Sequence, residues 1–482
     1  MNSEQDKERY LIEGNLPVGL LKFAAPFMLA YLLQALYGAV DLMIIGRFCD
    51  AGAVSAVGIG AQLLHLLLGV LFGLSVGGTV LIGYNLGAKD PEGTANAIGS
   101  TATLFAIIAL AVAPIAALST ERCVRAMQTP PEAFEYACQY VFICACGIPF
   151  IIGYNVVGAI YRGLGDSFTP TIFVAVACAF NVVGDLILIG DFNVPFFGTS
   201  VHVGGFKLGP AGAAYATVAA QGLSFLLALA YMRRKRFSFE FHRTNFILRR
   251  KSVVEILKVG VPLSFQDVLT GLSFLVILAI VNLMGVQESA GLAVAERVIG
   301  FLLLPPIAFS AAVSTAAAQN LGAGKNGRAF RAFLYGTCYS LAAGLIFWGL
   351  CQVCPTAVSG LFAHETSVAE QSARYLRSFS LDCIMVAFIF NINGYFCGAS
   401  RSMIVSAHSI FAAVCVRIPI SYAFSRIDGA TLWHVGFAAP LATLSSILIC
   451  VCYFLWLRRT GRLSLEDGEA PPDPAEPEQA AA

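Results

Sequence analysis

Charge is what this chain has least of. Asp, Glu, Lys and Arg make up 12% of its 482 residues, while 57% are hydrophobic and the mean hydropathy is +0.75. A soluble domain carries about 25% charged residues, so a soluble fold is excluded and a helical bundle facing lipid is expected. The net charge of +1 gives a nucleic-acid partner no electrostatic footing. The chain also lacks a phosphate-cradling glycine loop, an HExxH pair, a DxxD-like metal motif and a nucleophile with its base, so it is not expected to be an enzyme. No selectivity-filter motif supports a channel. Histidine is scarce, and His65 and His408 stand alone on apolar runs with no proton-carrying role assigned. Cysteine is not scarce, with 14 residues, but Cys144, Cys146, Cys178, Cys383, Cys450 and Cys452 lie inside apolar runs, where cysteine packs as a small hydrophobe. Cys351 and Cys354 have CxxC spacing without the second pair that a metal site needs.

What the chain has instead is long apolar runs. They fall near Leu16 to Gly46, Ala53 to Gly83, Ala95 to Leu118, Ala133 to Gly163, Phe168 to Gly190 and Gly209 to Met232. A second set follows near Val253 to Leu283, Ser289 to Gln319, Arg328 to Leu350, Val368 to Gly398, Met403 to Phe424 and His434 to Leu457. Roughly 20 apolar residues cross a bilayer, so these are twelve transmembrane helices in an all-α polytopic fold. The segment 1–15 is polar and the first run is too long for a signal peptide, so the first helix is expected to remain as an anchor. Residues 233–257 form a linker, and Arg233, Arg234, Lys235, Arg236, Arg243, Arg249, Arg250, Lys251 and Lys258 cluster in and beside it. The positive-inside bias places this linker and both termini in the cytoplasm. The tail 458–482 turns rich in Pro, Glu and Ala after Glu466 and is expected to be disordered.

The chain repeats itself. Leu21-Lys22-Phe23-Ala24-Ala25-Pro26 returns as Leu257-Lys258-Val259-Gly260-Val261-Pro262, an offset of 236 (258 minus 22). Asn85-Leu86-Gly87-Ala88 returns as Asn320-Leu321-Gly322-Ala323, and Gly163 to Ser167 as Gly398 to Ser402, both at 235. Six spans separate equivalent points, so both halves enter the membrane from the same side. The repeat is parallel, with lobes 16–232 and 258–457 flanking a central cavity.

Asp41 is the only charge in the stretch Phe23 to Gly46, and a carboxylate there costs roughly 2.5–3.5 kcal/mol unless it has a partner. It is the first site candidate. In the fifth span, Asn181 and Asp185 are four apart and share one helical face. Spans one and five run in the same direction and span six runs back, so Thr217 falls at a similar depth.

Pro26 with Asp41, the loop Tyr84-Asn85-Leu86-Gly87-Ala88-Lys89, the turn Tyr161 to Ser167 and the run Gly212-Ala213-Ala214-Tyr215-Ala216-Thr217 together resemble the multidrug and toxic compound extrusion (MATE) family over Leu16 to Leu457. The resemblance implies a secondary antiporter that expels cationic or amphipathic small molecules in exchange for Na⁺ or H⁺, without a further cofactor, as a monomer in the inner (cytoplasmic) membrane. It also implies that Asp41, Asn181, Asp185 and Thr217 bind the coupling ion. Two carboxylates with amide and hydroxyl oxygens are a hard-ligand set suited to Na⁺, and close carboxylates can also hold a proton. Another branch of the family uses a glutamate eight residues after the seventh-span proline, where this chain has Thr270, and a tenth-span aspartate, from which Asp382 is displaced by one turn. Lipid-linked precursor flippases belong to the same superfamily and give the nearest rival reading. A lipid-modifying membrane enzyme is the rival of another class.

The C-terminal half holds further intramembrane charges: Asp267, Glu296 and Arg297, Asp382 and Arg417. Either an acidic pair attracts a cationic substrate with Arg417 tuning it, or an ion pair holds the lobe together. The expected substrate cavity comprises Gln34, Tyr37, Tyr154, Asp267, Glu296, Asp382 and Arg417. Its partners are small molecules and membrane lipids, with no nucleic acid.

Overall fold

The computed structural model describes residues 10–467 apart from 197, 198, 235, 236, 238, 364 and 464. Lys235, Arg236, most of the segment 1–15 and the tail beyond 467 therefore lie outside the described residues. Twelve helices are long and apolar enough to span a membrane. In the N lobe they are α1 (Leu16–Phe48), α2 (Ala51–Gly87), α3 (Pro91–Ala126), α4 (Pro131–Gly163), α5 (Phe168–Leu188) and α6 (Gly209–Arg234). In the C lobe they are α7 (Arg250–Asn282), α8 (Val286–Gly322), α9 (Asn326–Val353), α10 (Leu381–Gly398), α11 (Ser402–Ser425) and α12 (Leu432–Arg459). An amphipathic helix, Thr366–Phe379, leads into α10.

Starts and stops follow local chemistry. Asn15, Asp50 and Asp90 cap α1, α2 and α3 by accepting the first free N–H groups, with Pro17 and Pro91 just inside the first and third helices. At the end of α4, Gly165 is left-handed (φ 88°) and the Asp166 N–H returns to the Tyr161 carbonyl. The same turn ends α10, with Ser400 left-handed (φ 55°) and the Arg401 N–H on Phe396. The sequence did not suggest the one sheet among the described residues, a hairpin of β1 (Asp191–Phe196) and β2 (Thr199–Gly204) between α5 and α6. Behind it, the N–H groups of Phe206 and Leu208 satisfy the last carbonyls of α5, those of Ile187 and Leu188.

Duplication is visible in the contacts. Gly163 packs where a Cβ would meet Thr79 O and Ile82, and Gly398, 235 residues on, packs where one would meet Ser314 O and Ala317. Between the lobes the pattern becomes reciprocal. A Cβ on Gly87 would strike the Gln319 carbonyl, and one on Gly322 would strike that of Tyr84. Gly87 pairs with Gly322 and Tyr84 with Gln319 at the same offset of 235, so the pseudo-two-fold axis runs between these contacts. Small residues let the backbones approach where hydrocarbon gives no hydrophobic drive for helices to associate.

The lobes meet from mid-span to the end that carries Leu16. Ser264 donates to Val70 O (2.6 Å), Gln319 to Gly163 O (3.0 Å) and Asn320 to Leu11 O (3.1 Å). Ahead of α1, Leu11 is fully buried and Tyr10 donates to Gly165 O (2.9 Å), which ties the entry of α1 to the α4–α5 turn. Glu466 and Asp467, at the start of the expected tail, accept from Asn326 Nδ2 (3.2 Å) and Gly327 N (2.9 Å). Part of the linker is also docked, with Asn245 donating to Asn96 Oδ1 (2.7 Å).

Candidate functional site

Pro26 stands inside α1 and removes one backbone donor from that helix. Side chains of α5 bond to α1 carbonyls nearby: Ser167 donates to Phe23 O (2.7 Å), Thr171 lies 2.8 Å from Pro26 O, and the Cys178 thiol lies 3.3 Å from Leu33 O. These contacts bind α1 to one face of α5. Continued along both helices, that face brings Asp41 to Asn181 and Asp185.

The four residues expected to bind an ion converge. Asp41, Asn181, Asp185 and Thr217 are all buried, and Asp185 is 0% exposed although it lies one turn from the end of α5. Asn181 Nδ2 donates to Thr217 Oγ1 at 3.3 Å. Asp185, Thr217 and Asn181 lie beside the Asp41 carboxyl. As two carboxylates, Asp41 and Asp185 have no proton to donate, and Asp41 Oδ1 and both Asp185 oxygens have no partner. Among the described residues no Lys, Arg or His forms an ion pair with either. Facing carboxyls in a buried site require a shared proton or a bound cation. Next to them is a void of about 10 Å³ lined by Tyr37, Ala177, Asn181, Thr217, Ala220 and Gln221, roughly the room one water-sized particle needs.

Two neighbours were not singled out in the sequence. Gln221, which lines the same void as Tyr37, lies one turn beyond Thr217, so the four-residue spacing was an available signal. Tyr140 of α4 is 3% exposed, and its phenol lies near both carboxyls. Its ring also fills the space a Cβ on Gly60 would need, and only the packing of α2 on α4 reveals this.

The other expected cavity residues are dispersed. Gln34 and Tyr37 are half-buried on α1, whereas Tyr154 is 6% exposed and packs with Val157, Tyr161 and Phe173 inside the N lobe. Asp267 is exposed one turn beyond the Ser264–Val70 contact between the lobes. Glu296 is half-buried. Asp382 is 4% exposed, and Thr443 lies beside it. Arg417 lies with its guanidinium carbon 5.0 Å from the centre of the Phe274 ring. Tyr375 is close to Glu296, Asp382 and Arg417, so these three share one neighbourhood, apart from Asp267. Among the described residues no cluster of three His, Cys, Asp or Glu side chains could hold a metal ion, and Cys351 and Cys354 are free thiols. A recess of 420 Å³ at the far end of α1, lined by Asp50, Tyr136 and Lys207 among others, contains none of the expected residues.

Two six-helix lobes built by duplication around a pseudo-two-fold axis, with a closed pair of acids inside one of them, define a membrane transporter of the parallel-repeat type. The chain belongs to the MatE family, whose model matches it twice, at residues 26–187 and 262–423. It is similar to the probable multidrug resistance protein YoeA of Bacillus subtilis, at 27% identity over 448 residues covering 91% of this chain and 93% of that one. It is also similar to the multidrug export protein MepA of Staphylococcus aureus, at 23% identity with coverage of 92% and 96%. Among solved structures, a multidrug resistance MATE family transporter in its outward-facing conformation matches with a TM-score of 0.84 at 20% identity, covering 94% of this chain and 98% of that one. A MOP superfamily transporter from Pyrococcus furiosus matches with a TM-score of 0.83 at the same identity and coverage. These two establish the fold.

Proposed function

We propose that the protein is a secondary active antiporter that exports cationic or amphipathic small molecules in exchange for Na⁺ or H⁺. The reading places it in the cytoplasmic (inner) membrane as a monomer with both termini cytoplasmic. The observation that carries it is the facing pair Asp41 and Asp185, buried and without a basic partner among the described residues. A transporter that couples to a cation needs a site whose charge changes when the ion arrives, and this pair has that property. The names of YoeA and MepA support the substrate class.

With the basic linker in the cytoplasm, the end at which the lobes meet is the inner one, and we read this as the outward-open state. In that state Na⁺ or H⁺ enters the N lobe and joins Asp41, Asp185, Asn181 and Thr217, cancelling negative charge. Neutralisation relaxes the demand on α1, which bends near Pro26, and the cavity loses affinity for its substrate. By reciprocity the substrate weakens ion binding by the same factor. Rocking of the lobes about the glycine contacts then exposes the site to the other side.

The test is ethidium efflux from proteoliposomes under a sodium gradient and a proton gradient applied separately, comparing wild type with Asp41→Asn. Efflux driven by one gradient and lost in the variant supports the reading and names the ion. Efflux that keeps its ion dependence in Asp41→Asn removes it. If neither gradient drives efflux, translocation of a fluorescent lipid tests the flippase alternative.

A further inference from the structure

The N-lobe acids have a structural mate that the repeat locates residue by residue. Ser167 pairs with Ser402 at an offset of 235, yet the two family matches end at 187 and 423, an offset of 236 (423 minus 187). The difference of one between these offsets is what one residue added in α11 relative to α5 gives. Within α11 the stretch Ala412–Arg417 is π-helical, the widened turn that takes up such a residue. Beyond it, Asn181 pairs with Arg417 and Asp185 with Ser421, both at 236, and Asp41 pairs with Ile277 at the offset that relates Pro26 to Pro262. Ala213 to Thr217 aligns with Ala439 to Thr443, so Thr217 pairs with Thr443, and Tyr140 pairs with Tyr375 at 235.

The mate keeps the threonine and the tyrosine but not the two acids. Asp41 is replaced by buried Ile277 and Asp185 by Ser421, which is 0% exposed. A single acid, Asp382, enters from α10 and lies beside Thr443. In the place of Asn181 stands Arg417. Its Nε and Nη1 and the Ser421 hydroxyl are buried without partners, and among the described residues no carboxylate lies within ion-pair distance of the guanidinium. Arg417 thus supplies charge to this neighbourhood rather than a contact ion pair. A guanidinium carries that charge permanently and cannot leave.

We propose that Arg417 is a tethered substitute for the exchangeable cation, so that the C lobe takes up no coupling ion and ion exchange runs through the N lobe alone. The coupling role of the N lobe is the preceding reading, and this inference rests on it. The structural part, a fixed charge near Asp382 in place of a bound ion, can be tested without it.

The experiment counts ions bound per chain in the full-length protein in nanodiscs, using radioactive sodium for Na⁺ and calorimetry in buffers of different ionisation enthalpy for H⁺. Arg417→Asn, which restores the residue type of Asn181, is expected to gain one bound ion over wild type. That ion should vanish when Asp382→Asn is added and should persist when Asp41→Asn is added. Arg417→Lys keeps the charge and should gain none. In the wild-type background, Asp382→Asn should leave the count unchanged, a result that does not depend on how Arg417→Asn folds. An unchanged count in folded Arg417→Asn, or an ion lost on Asp382→Asn alone, would overturn the proposal. Wild type with no ion at Asp41 would instead sink the N-lobe reading, while a gain of one ion in Arg417→Asn would still support the fixed charge.

Discussion

Ser167 in the N lobe and Ser402 in the C lobe lie 235 positions apart, and each donates its hydroxyl to a carbonyl in the first helix of its lobe, Phe23 at 2.7 Å and Lys258 at 3.0 Å. The left-handed turns at Gly165 and Ser400, and at Lys89 and Gly324, repeat at the same interval. One turn further the lobes diverge. Thr171 reaches the Pro26 carbonyl at 2.8 Å, whereas the hydroxyl of its counterpart Ser406 has no partner. Further still, acids on one side face isoleucine, serine and arginine on the other. The turns and the serine contacts beside them, which set where each lobe's helices begin and end, have remained two-fold. Deeper in each lobe the groups differ, so one scaffold carries two facing acids in one half and an arginine in the other.

The largest expected effect lies on the side of the two acids. Asp41→Asn should lower ion-driven efflux by roughly 100-fold, equivalent to about 2.7 kcal/mol, measured as the initial rate in proteoliposomes. If the two acids act as one unit, Asp41→Asn combined with Asp185→Asn should cost little more than either change alone. Full additivity in that cycle would show that the pair does not share an ion.

The symmetric seam should respond symmetrically. Gly87→Val and Gly322→Val each drive a side chain into a carbonyl of the opposite lobe, of Gln319 and Tyr84 respectively. Each should cost about 1–3 kcal/mol of the closed arrangement. Spin labels on the two lobes should report more separation at the Leu16 end, by similar amounts in both variants. An effect of one glycine alone would break the reciprocity.

The smallest effects should separate the lobes again. Thr171→Ala removes a buried donor from the Pro26 carbonyl and should cost about 1 kcal/mol. Ser406→Ala removes a hydroxyl that bonds to nothing, and its melting temperature in detergent should match wild type. Equal shifts in the two variants would mean that the staple at Pro26 contributes nothing of its own.

Sequence periodicity was sufficient for the twelve spans, since a helix must satisfy its own backbone in lipid and twenty apolar residues leave no other solution. The offsets near 235 sufficed for the parallel duplication, because equal segments with equal turns fold alike. Asp41 was legible as a site candidate through its isolation, and Asn181 with Asp185 through their spacing. The hairpin between α5 and α6 gave no such signal against its apolar surroundings. Tyr140 could not be read because its approach to the acids depends on where α2 and α4 pack. The burial of Tyr154 inside the lobe likewise depends on which face of α4 turns inward.

Arg417 is where the two levels part. The sequence alone determined that a charge stands in the eleventh span, since its place in an apolar run is fixed by counting. Which residue it replaces was decided by the π-helical turn at Ala412–Arg417, because one extra residue rotates everything beyond it by about 100° and changes the face each side chain presents. Linear order sets what a helix contains, and only the packed helix sets what each residue meets.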